Sequence, residues 1–277
     1  MKEITVKCPA KINLFFNIIG LDERNYHLVH GLNQSISIYD ILTIKINNTN
    51  SINIKCNDSS IPTDEKNSIY KAAKLFLDYT KITTGLDIYL EKNIPTEAGL
   101  GGESTDAAGT ISALNIIFNT NLSKDELNKI SYQTSCDVPF CIEGGSKEVK
   151  GCGQIVIPWQ NPYSYYLVIT PNIGHSTKEM FNLYDNKITK YKKLKPTIGH
   201  NDFHLILNND IKELITKIKK ETKAKTAMLT GSGSSIIAIF NNKDELDNAY
   251  NIIKNELNNT YKIAKTQNVS GIEEIKK

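Results

Sequence analysis

The feature that most limits what this chain can fold into is a glycine cluster held between two regular elements. Residues 95–108 read Pro-Thr-Glu-Ala-Gly-Leu-Gly-Gly-Glu-Ser-Thr-Asp-Ala-Ala. Ahead of them Leu86–Leu90 alternates like a strand. Behind them Ala108, Ile111, Leu114 and Phe118 recur at helical spacing, which predicts a helix over 105–118. Gly99, Gly101 and Gly102 let successive backbone N–H groups turn toward one point, and the start of the helix adds a partial positive charge there. Pro95, Leu100 and Glu103 complete the loop, with the hydroxyls of Ser104 and Thr105 at the helix start. The unit suits a phosphate chain; a tight turn with a helix cap is the competing explanation. It is not a Walker loop, because no lysine precedes the Ser-Thr pair. It also lacks the βαβ context of a dinucleotide fold.

Charge narrows how a phosphate could be held. Arg24 is the only arginine among 33 basic residues, which face 30 acidic ones for a net charge of +3. That balance argues against a nucleic-acid surface, and bidentate arginine clamps are almost absent. Backbone amides and lysine must do the work. The five cysteines have no CxxC pair and no zinc-finger spacing, so they read as incidental thiols of a reducing compartment. No stretch reaches the ~18 apolar residues of a membrane span, and Met1 runs directly into the alternating Ile4–Val6. The expectation is a cytoplasmic protein with no membrane partner.

The 277 residues suit two domains. Ile4–Val6, Ile12–Ile19, Gln34–Ile38, Ile41–Ile46 and Ile52–Lys55 are isoleucine-rich runs that predict strands. Asn67 opens a helical run with Ile69, Ala72, Ala73 and Phe76 on one face, and Ser123–Glu126 reads as a capping box for another helix. The segment Pro158-Trp159-Gln160-Asn161-Pro162-Tyr163-Ser164 breaks periodicity, which puts the expected division between residues 1–157 and 158–277. The second part predicts a strand at Tyr165–Thr170, a short helix at Lys178–Tyr184, a polar loop or solvated helix face at Asn186–Lys195, then helix, strand, strand and helix at Ile211–Ile218, Met228–Leu229, Ser235–Phe240 and Asp244–Leu257. The fold class is α+β.

Three further segments carry chemistry. Lys11 sits on an apolar strand after Pro9, with Asn13 on the same face by the two-residue period. It reads either as an edge charge against aggregation or as a cation aimed at a transferring phosphoryl group. Asp137, in Ser135-Cys136-Asp137-Val138-Pro139-Phe140, is either a turn residue or a carboxylate that accepts the proton of an attacking hydroxyl. Leu229-Thr230-Gly231-Ser232-Gly233-Ser234-Ser235 is a second glycine–serine loop, equally consistent with a flexible turn.

Lys11, the Gly99–Ala108 loop and Gly231–Ser235, in this order and at these separations, resemble the three motifs of the GHMP small-molecule kinases. Tyr26-His27 and Cys136-Asp137-Val138-Pro139-Phe140 resemble, within that family, the branch that phosphorylates a cytidine-diphosphate-linked methylerythritol. The resemblance covers essentially the whole chain. It implies a two-domain fold, with an N-terminal domain like the second domain of ribosomal protein S5 and a ferredoxin-like C-terminal α/β domain. It implies ATP with Mg²⁺, and a small-molecule substrate rather than nucleic acid. Asp137 would be the base and Lys11 would hold it ionised and stabilise the γ-phosphoryl group. Pro95, Gly99, Leu100, Gly101, Gly102, Glu103, Ser104 and Thr105 would form the ATP site, with the glycines and hydroxyls cradling the phosphates. Tyr26 and Phe181 would sandwich the cytosine, His27 would bond its edge, and Asn13 would touch the substrate near the reacting end. A weak homodimer is left open. So are another substrate of the same family (mevalonate, homoserine or a sugar) and a non-catalytic nucleotide binder.

Two positions depart from the family pattern. Glu103 stands where a third consecutive glycine is expected, so its carboxylate must point away, pair with a lysine such as Lys92, or approach Mg²⁺. Asn25 replaces the glycine before Tyr26-His27, a milder change because asparagine tolerates left-handed backbone. Asn201-Asp202 reads first as a helix cap and only second as a substrate contact.

Overall fold

In the computed structural model, which describes residues 2–257 and 260–276, the first two isoleucine-rich runs are not separate strands. They join into one strand, β1 (Glu3–Leu21), paired antiparallel with a second long strand, β2 (His27–Asn47). The register shifts between Pro9 and Ala10, and this irregularity lets the strand continue past a residue that cannot donate a ladder hydrogen bond. The sheet grows outward from β2 through β4 (Gly85–Glu91), with β3 (Ile52–Cys56) parallel at its edge. The inner half of β2 also pairs with β5 (Ser146–Gly151), which forms a hairpin with β6 (Ile155–Pro158).

One face of this sheet is covered by α1 (Ser68–Thr80), α2 (Gly102–Ile117), α3 (Lys124–Thr134) and α4 (Val138–Glu143), whose apolar sides share a core with β1 and β2. The expected start signals hold. Asn67 accepts from the Ile69 N–H, and Ser123 with Glu126 completes a reciprocal capping box.

The second sheet begins at β7 (Tyr165–Pro171). After α5 (Thr177–Lys187), a two-residue strand β8 (His200–Asn201) and α6 (Asn209–Glu221), it adds β9 (Thr226–Leu229), β10 (Ile236–Phe240), α7 (Lys243–Glu256) and β11 (Tyr261–Gln267). Its order is β11-β7-β10-β9 with every pair antiparallel. This is the split βαββαβ arrangement of a ferredoxin-like domain. Residues 188–199 form no regular element, so the lysine-rich stretch there is a loop rather than a helix face.

The two sheets are tied by chain that returns to the first. β8 pairs parallel with β1 at Phe15 and Phe16, and the last strand, β12 (Glu273–Glu274), pairs with β1 at Val6 and Lys7. A shared apolar layer runs between them, with Ile12, Leu14 and Leu100 from one side meeting Tyr166, Val168 and Ile237 from the other. The cleft above this layer holds the candidate site.

Candidate active site

Lys11 reaches the cleft because β1 bends at the Pro9/Ala10 irregularity and the glycine loop then binds its backbone. The Lys11 N–H donates to the Leu100 carbonyl at 2.9 Å. The side chain is only 6% exposed, and its Nζ donates to Asn13 Oδ1 at 2.8 Å and lies 3.8 Å from Asp137 Oδ2. Asn13 is fixed in turn, donating through Nδ2 to Asn33 Oδ1 (2.7 Å) and through its backbone N–H to Thr230 Oγ1 (2.8 Å). An ammonium in so apolar a strand is stable only because these oxygens surround it.

Asp137 stands at the N-terminus of α4 with no capping bond from its carboxylate. That side chain is 46% exposed toward the cleft, so it is free to accept a proton. The carboxylate from mid-chain and the ammonium from the first strand therefore meet at one point.

The glycines of the first loop are dictated by contact. Gly101 has φ +69°, and a Cβ there would fall 2.7 Å from Lys11 Cγ; Gly99 has φ +72°, and its Cβ would fall 2.1 Å from the Thr230 carbonyl oxygen. The loop thus packs on the Lys11 stem and on the second glycine–serine loop. The second contact is reinforced by the Ser235 N–H donating to the Ala98 carbonyl at 3.1 Å. Gly101 caps α2, and Gly102, Glu103 and Ser104 form its exposed first turn beside the cleft.

Glu103 needs no left-handed backbone, because it lies inside that first turn. An acidic residue there suits the helix dipole, which explains how the fold accepts it in place of glycine. Of the three alternatives for the Glu103 carboxylate, pairing with Lys92 does not form. Lys92 Nζ is buried beneath the loop, 2.6 Å from Asp40 Oδ2 and 2.7 Å from Asp106 Oδ2, and these two carboxylates outcompete a solvent-exposed one. Asp40 also accepts from the Asn93 and Ile94 N–H groups. Burial, with Asp40 close by, pushes the Asp106 carboxyl up to about 8 despite Lys92. Its Oδ1, like the buried Thr105 Oγ1, has no hydrogen-bond partner.

At the far end of the cleft, the turn after β1 is organised by Asp22. Its Oδ1 accepts from the Arg24 and Tyr26 N–H groups, both at 2.9 Å, and Arg24 pairs with Oδ2. The bond from Tyr26 leads the effects that hold the Asp22 carboxyl down at about 2. Asn25 takes φ +62°, the geometry expected of it. Tyr26 is 56% exposed at the cleft rim, with the Arg24 guanidinium 5.1 Å from its ring centroid.

His27 rather than His30 lines the cleft; His30 is buried against Glu148 (Nε2–Oε1, 2.7 Å). Phe181 and Tyr26 both line the cleft. The Phe181 ring stacks on His27, with centroids 4.1 Å apart and planes inclined by 22°. Phe181 and Asp185 lie one turn apart on α5, and both reach His27.

Sequence reasoning missed Asp185, Tyr191, Asn33 and Thr230. Asp185 carried one usable signal, its i+4 spacing from Phe181. Asn201 caps the 3₁₀ turn Asp202–Leu205 by accepting from the Phe203 N–H, as expected, and also donates through Nδ2 to the Leu229 and Gly231 carbonyls (2.9 Å each). It is a strut beneath the second loop.

The cleft has a volume of about 880 Å³. It carries a cationic end with a helix N-terminus, a free carboxylate in the middle and an aromatic end. This arrangement can hold a triphosphate, an alcohol beside the carboxylate, and a flat ring at the rim.

Comparison with known proteins agrees with that geometry. The GHMP kinases N terminal domain matches residues 67–145, and the GHMP kinases C terminal domain matches residues 194–259. Proteins named 4-diphosphocytidyl-2-C-methyl-D-erythritol kinase from Clostridium tetani and Clostridium perfringens are 39% and 37% identical. Each alignment covers 90% of this chain and, respectively, 95% and 93% of the relative. A crystal structure of 4-(cytidine 5'-diphospho)-2C-methyl-D-erythritol kinase superposes with a TM-score of 0.79 at 23% identity, covering 96% of this chain and 99% of the other. A homoserine kinase from Cytophaga hutchinsonii also reaches 0.79, at 16% identity, covering 99% of this chain and 98% of the other.

Proposed function

The chain belongs to the GHMP kinases and, within them, to the 4-diphosphocytidyl-2-C-methyl-D-erythritol kinase family, and from that premise we propose its reaction. It transfers the γ-phosphoryl group of ATP to the 2-hydroxyl of a cytidine-diphosphate-linked methylerythritol, a step of non-mevalonate isoprenoid synthesis in the cytoplasm. The observation that carries this reading is the 3.8 Å approach of Lys11 Nζ to Asp137 Oδ2 beside the N-terminus of α2.

The chemistry follows from placement. Phosphoryl transfer asks little covalent work of the protein and much positioning and charge stabilisation. Asp137 accepts the proton as the 2-hydroxyl oxygen attacks the γ-phosphorus and the bond from that phosphorus to the β,γ-bridging oxygen breaks, with ADP leaving. Lys11 offsets the charge on the transferring oxygens, held on line by Asn13. The N–H groups of the Gly99–Thr105 segment receive the phosphates. The packing of the second loop on Gly99 excludes water from one side. Asn13 lies within reach of the reacting end, Tyr26 and His27 receive the base, and Phe181 is the wall against which His27 rests.

Mg²⁺, when bound with the nucleotide, would neutralise part of the phosphate charge. Ser104 would offer it a hydroxyl beside the cleft, a hard oxygen donor of the kind this ion takes. We also retain a division of the chain near 157/158.

The test is ATP consumption by the full chain with the cytidine-linked polyol. Asp137→Ala should lower kcat at least 10²-fold, the usual share of a positioned base, with KM for ATP changed far less. Unaltered turnover in that variant refutes the reading. Failure of cytidine nucleotides to compete would direct it to a homoserine-type or mevalonate-type substrate, which has no use for Tyr26 and His27.

A further inference from the structure

His27 is gripped from three sides by the second domain. Its Nε2 lies 3.0 Å from both Asp185 Oδ1 and Oδ2. Phe181, one turn earlier on α5, covers a face of the ring. Tyr191, from the irregular segment after α5, donates its hydroxyl to Asp185 Oδ1 at 2.9 Å and sets its ring edge-on to His27 at 6.5 Å. Burial and the Asp185 carboxylate push the Tyr191 hydroxyl up to about 12, so it stays a donor. These contacts join residues 158 positions apart in sequence.

The partner of one imidazole nitrogen decides what the other can do. A carboxylate accepts hydrogen bonds and cannot donate one, so in a neutral ring the Nε2 facing Asp185 carries the hydrogen and Nδ1 presents a lone pair. Among the described residues nothing hydrogen-bonds to His27 Nδ1, and the side chain lines the cleft beside Tyr26. A lone pair there accepts from an exocyclic amine and repels a carbonyl oxygen. Cytosine and uracil differ at that edge: cytosine carries an amine at C4 where uracil carries a carbonyl.

We infer that Asp185, braced by Tyr191, is a specificity-determining positioning residue that fixes the hydrogen of His27 on Nε2 and makes the cleft select cytosine over uracil. The inference rests on the base-binding reading above and adds to it the residue that sets the choice of base. Asp185 acts through His27 and has no part in phosphoryl transfer.

The test measures CDP and UDP binding to the full chain, together with steady-state kinetics. Wild-type protein should bind CDP about tenfold more tightly than UDP, the worth of one hydrogen bond gained against one acceptor left unpaired. Asp185→Ala should bring the two within about twofold. It should raise KM for the cytidine-linked substrate while kcat and KM for ATP move less than about twofold. Asp185→Asn should keep most of the preference, because its amide oxygen can accept from both Tyr191 and His27. Tyr191→Phe should lose part of it. A purely structural role would move kcat and KM for ATP as well. Retention of the full preference in Asp185→Ala overturns the inference while leaving the cytidine reading intact. A wild-type protein with no preference overturns both.

Discussion

Replacing Asp106 with asparagine should change how stability depends on pH, in a direction and size that the structure fixes. Asp106 is buried with Lys92 and Asp40 beneath the glycine loop, and its carboxyl is pushed up to about 8. In the unfolded chain it returns to about 3.9. Between about pH 4 and pH 8 the folded chain therefore holds a proton that the unfolded chain has released. Stability contributed by this group falls as pH rises through that window and levels off above it. The slope is at most about 1.4 kcal/mol per pH unit, and the ceiling over the window is about 6 kcal/mol. That is large against a typical total of about 5–15 kcal/mol. Asparagine cannot titrate, so this slope disappears. Asp106 Oδ1 has no partner, so an amide nitrogen at that spot costs about 1–3 kcal/mol at every pH, which offsets the curve without tilting it. His204 is pushed down to about 4, chiefly by burial, and tilts stability the opposite way between about pH 4 and pH 6.5. It is common to both chains and cancels in the difference. Urea-unfolding midpoints from about pH 5 to pH 9 at constant ionic strength provide the assay. The variant should gain on wild type by several kcal/mol as pH rises. Parallel curves, or a variant that loses ground as pH rises, would refute the buried-proton argument.

Glu103→Gly removes a carboxylate from the first turn of α2, close to where the phosphates would lie, so it removes like-charge repulsion. KM for ATP should fall about two- to fivefold at low salt and less at high salt; an unchanged or higher KM would remove the repulsion argument. Asn201→Ala strips two hydrogen bonds from the Leu229 and Gly231 carbonyls. Stability should drop by about 1–3 kcal/mol and KM for substrate should rise as the second loop loosens, which chemical denaturation and steady-state kinetics would read together. Little change in both would mean that the loop is held from elsewhere.

Much of the fold was legible because its signals are local. Asn67 and Ser123 cap the helices they were expected to cap, and Ile111, Leu114 and their neighbours face a core as their spacing requires. Other features were not legible for physical reasons. The runs on either side of Pro9 read as two strands, since proline is rare inside a ladder, and only the register shift opposite Tyr39 joins them. β5 and β6 are short and partly exposed, so their pattern carries little apolar contrast. From sequence, Lys92 reads only as a partner for Glu103 and Asp106 has no role, because charge alone does not reveal whether a partner exists to bury it with. In the site, Lys11, Asp137 and the two glycine loops could be found from residue type and order. The stacking of Phe181 on His27 could not.

The order of residues along the chain determined which groups are available: one arginine, a glycine loop ahead of a helix, a lysine on the first strand and an aspartate before Val138-Pro139. Tertiary structure alone decided which of them meet. Lys11 and Asp137 are 126 positions apart, and His27 and Asp185 are 158 apart. Their contacts exist only because two sheets pack on a shared apolar layer and bring both pairs to one cleft. Hydrophobic burial is non-directional, so it can be read from composition and periodicity. The direction of a hydrogen bond across such distances is set only when the backbone has closed around it.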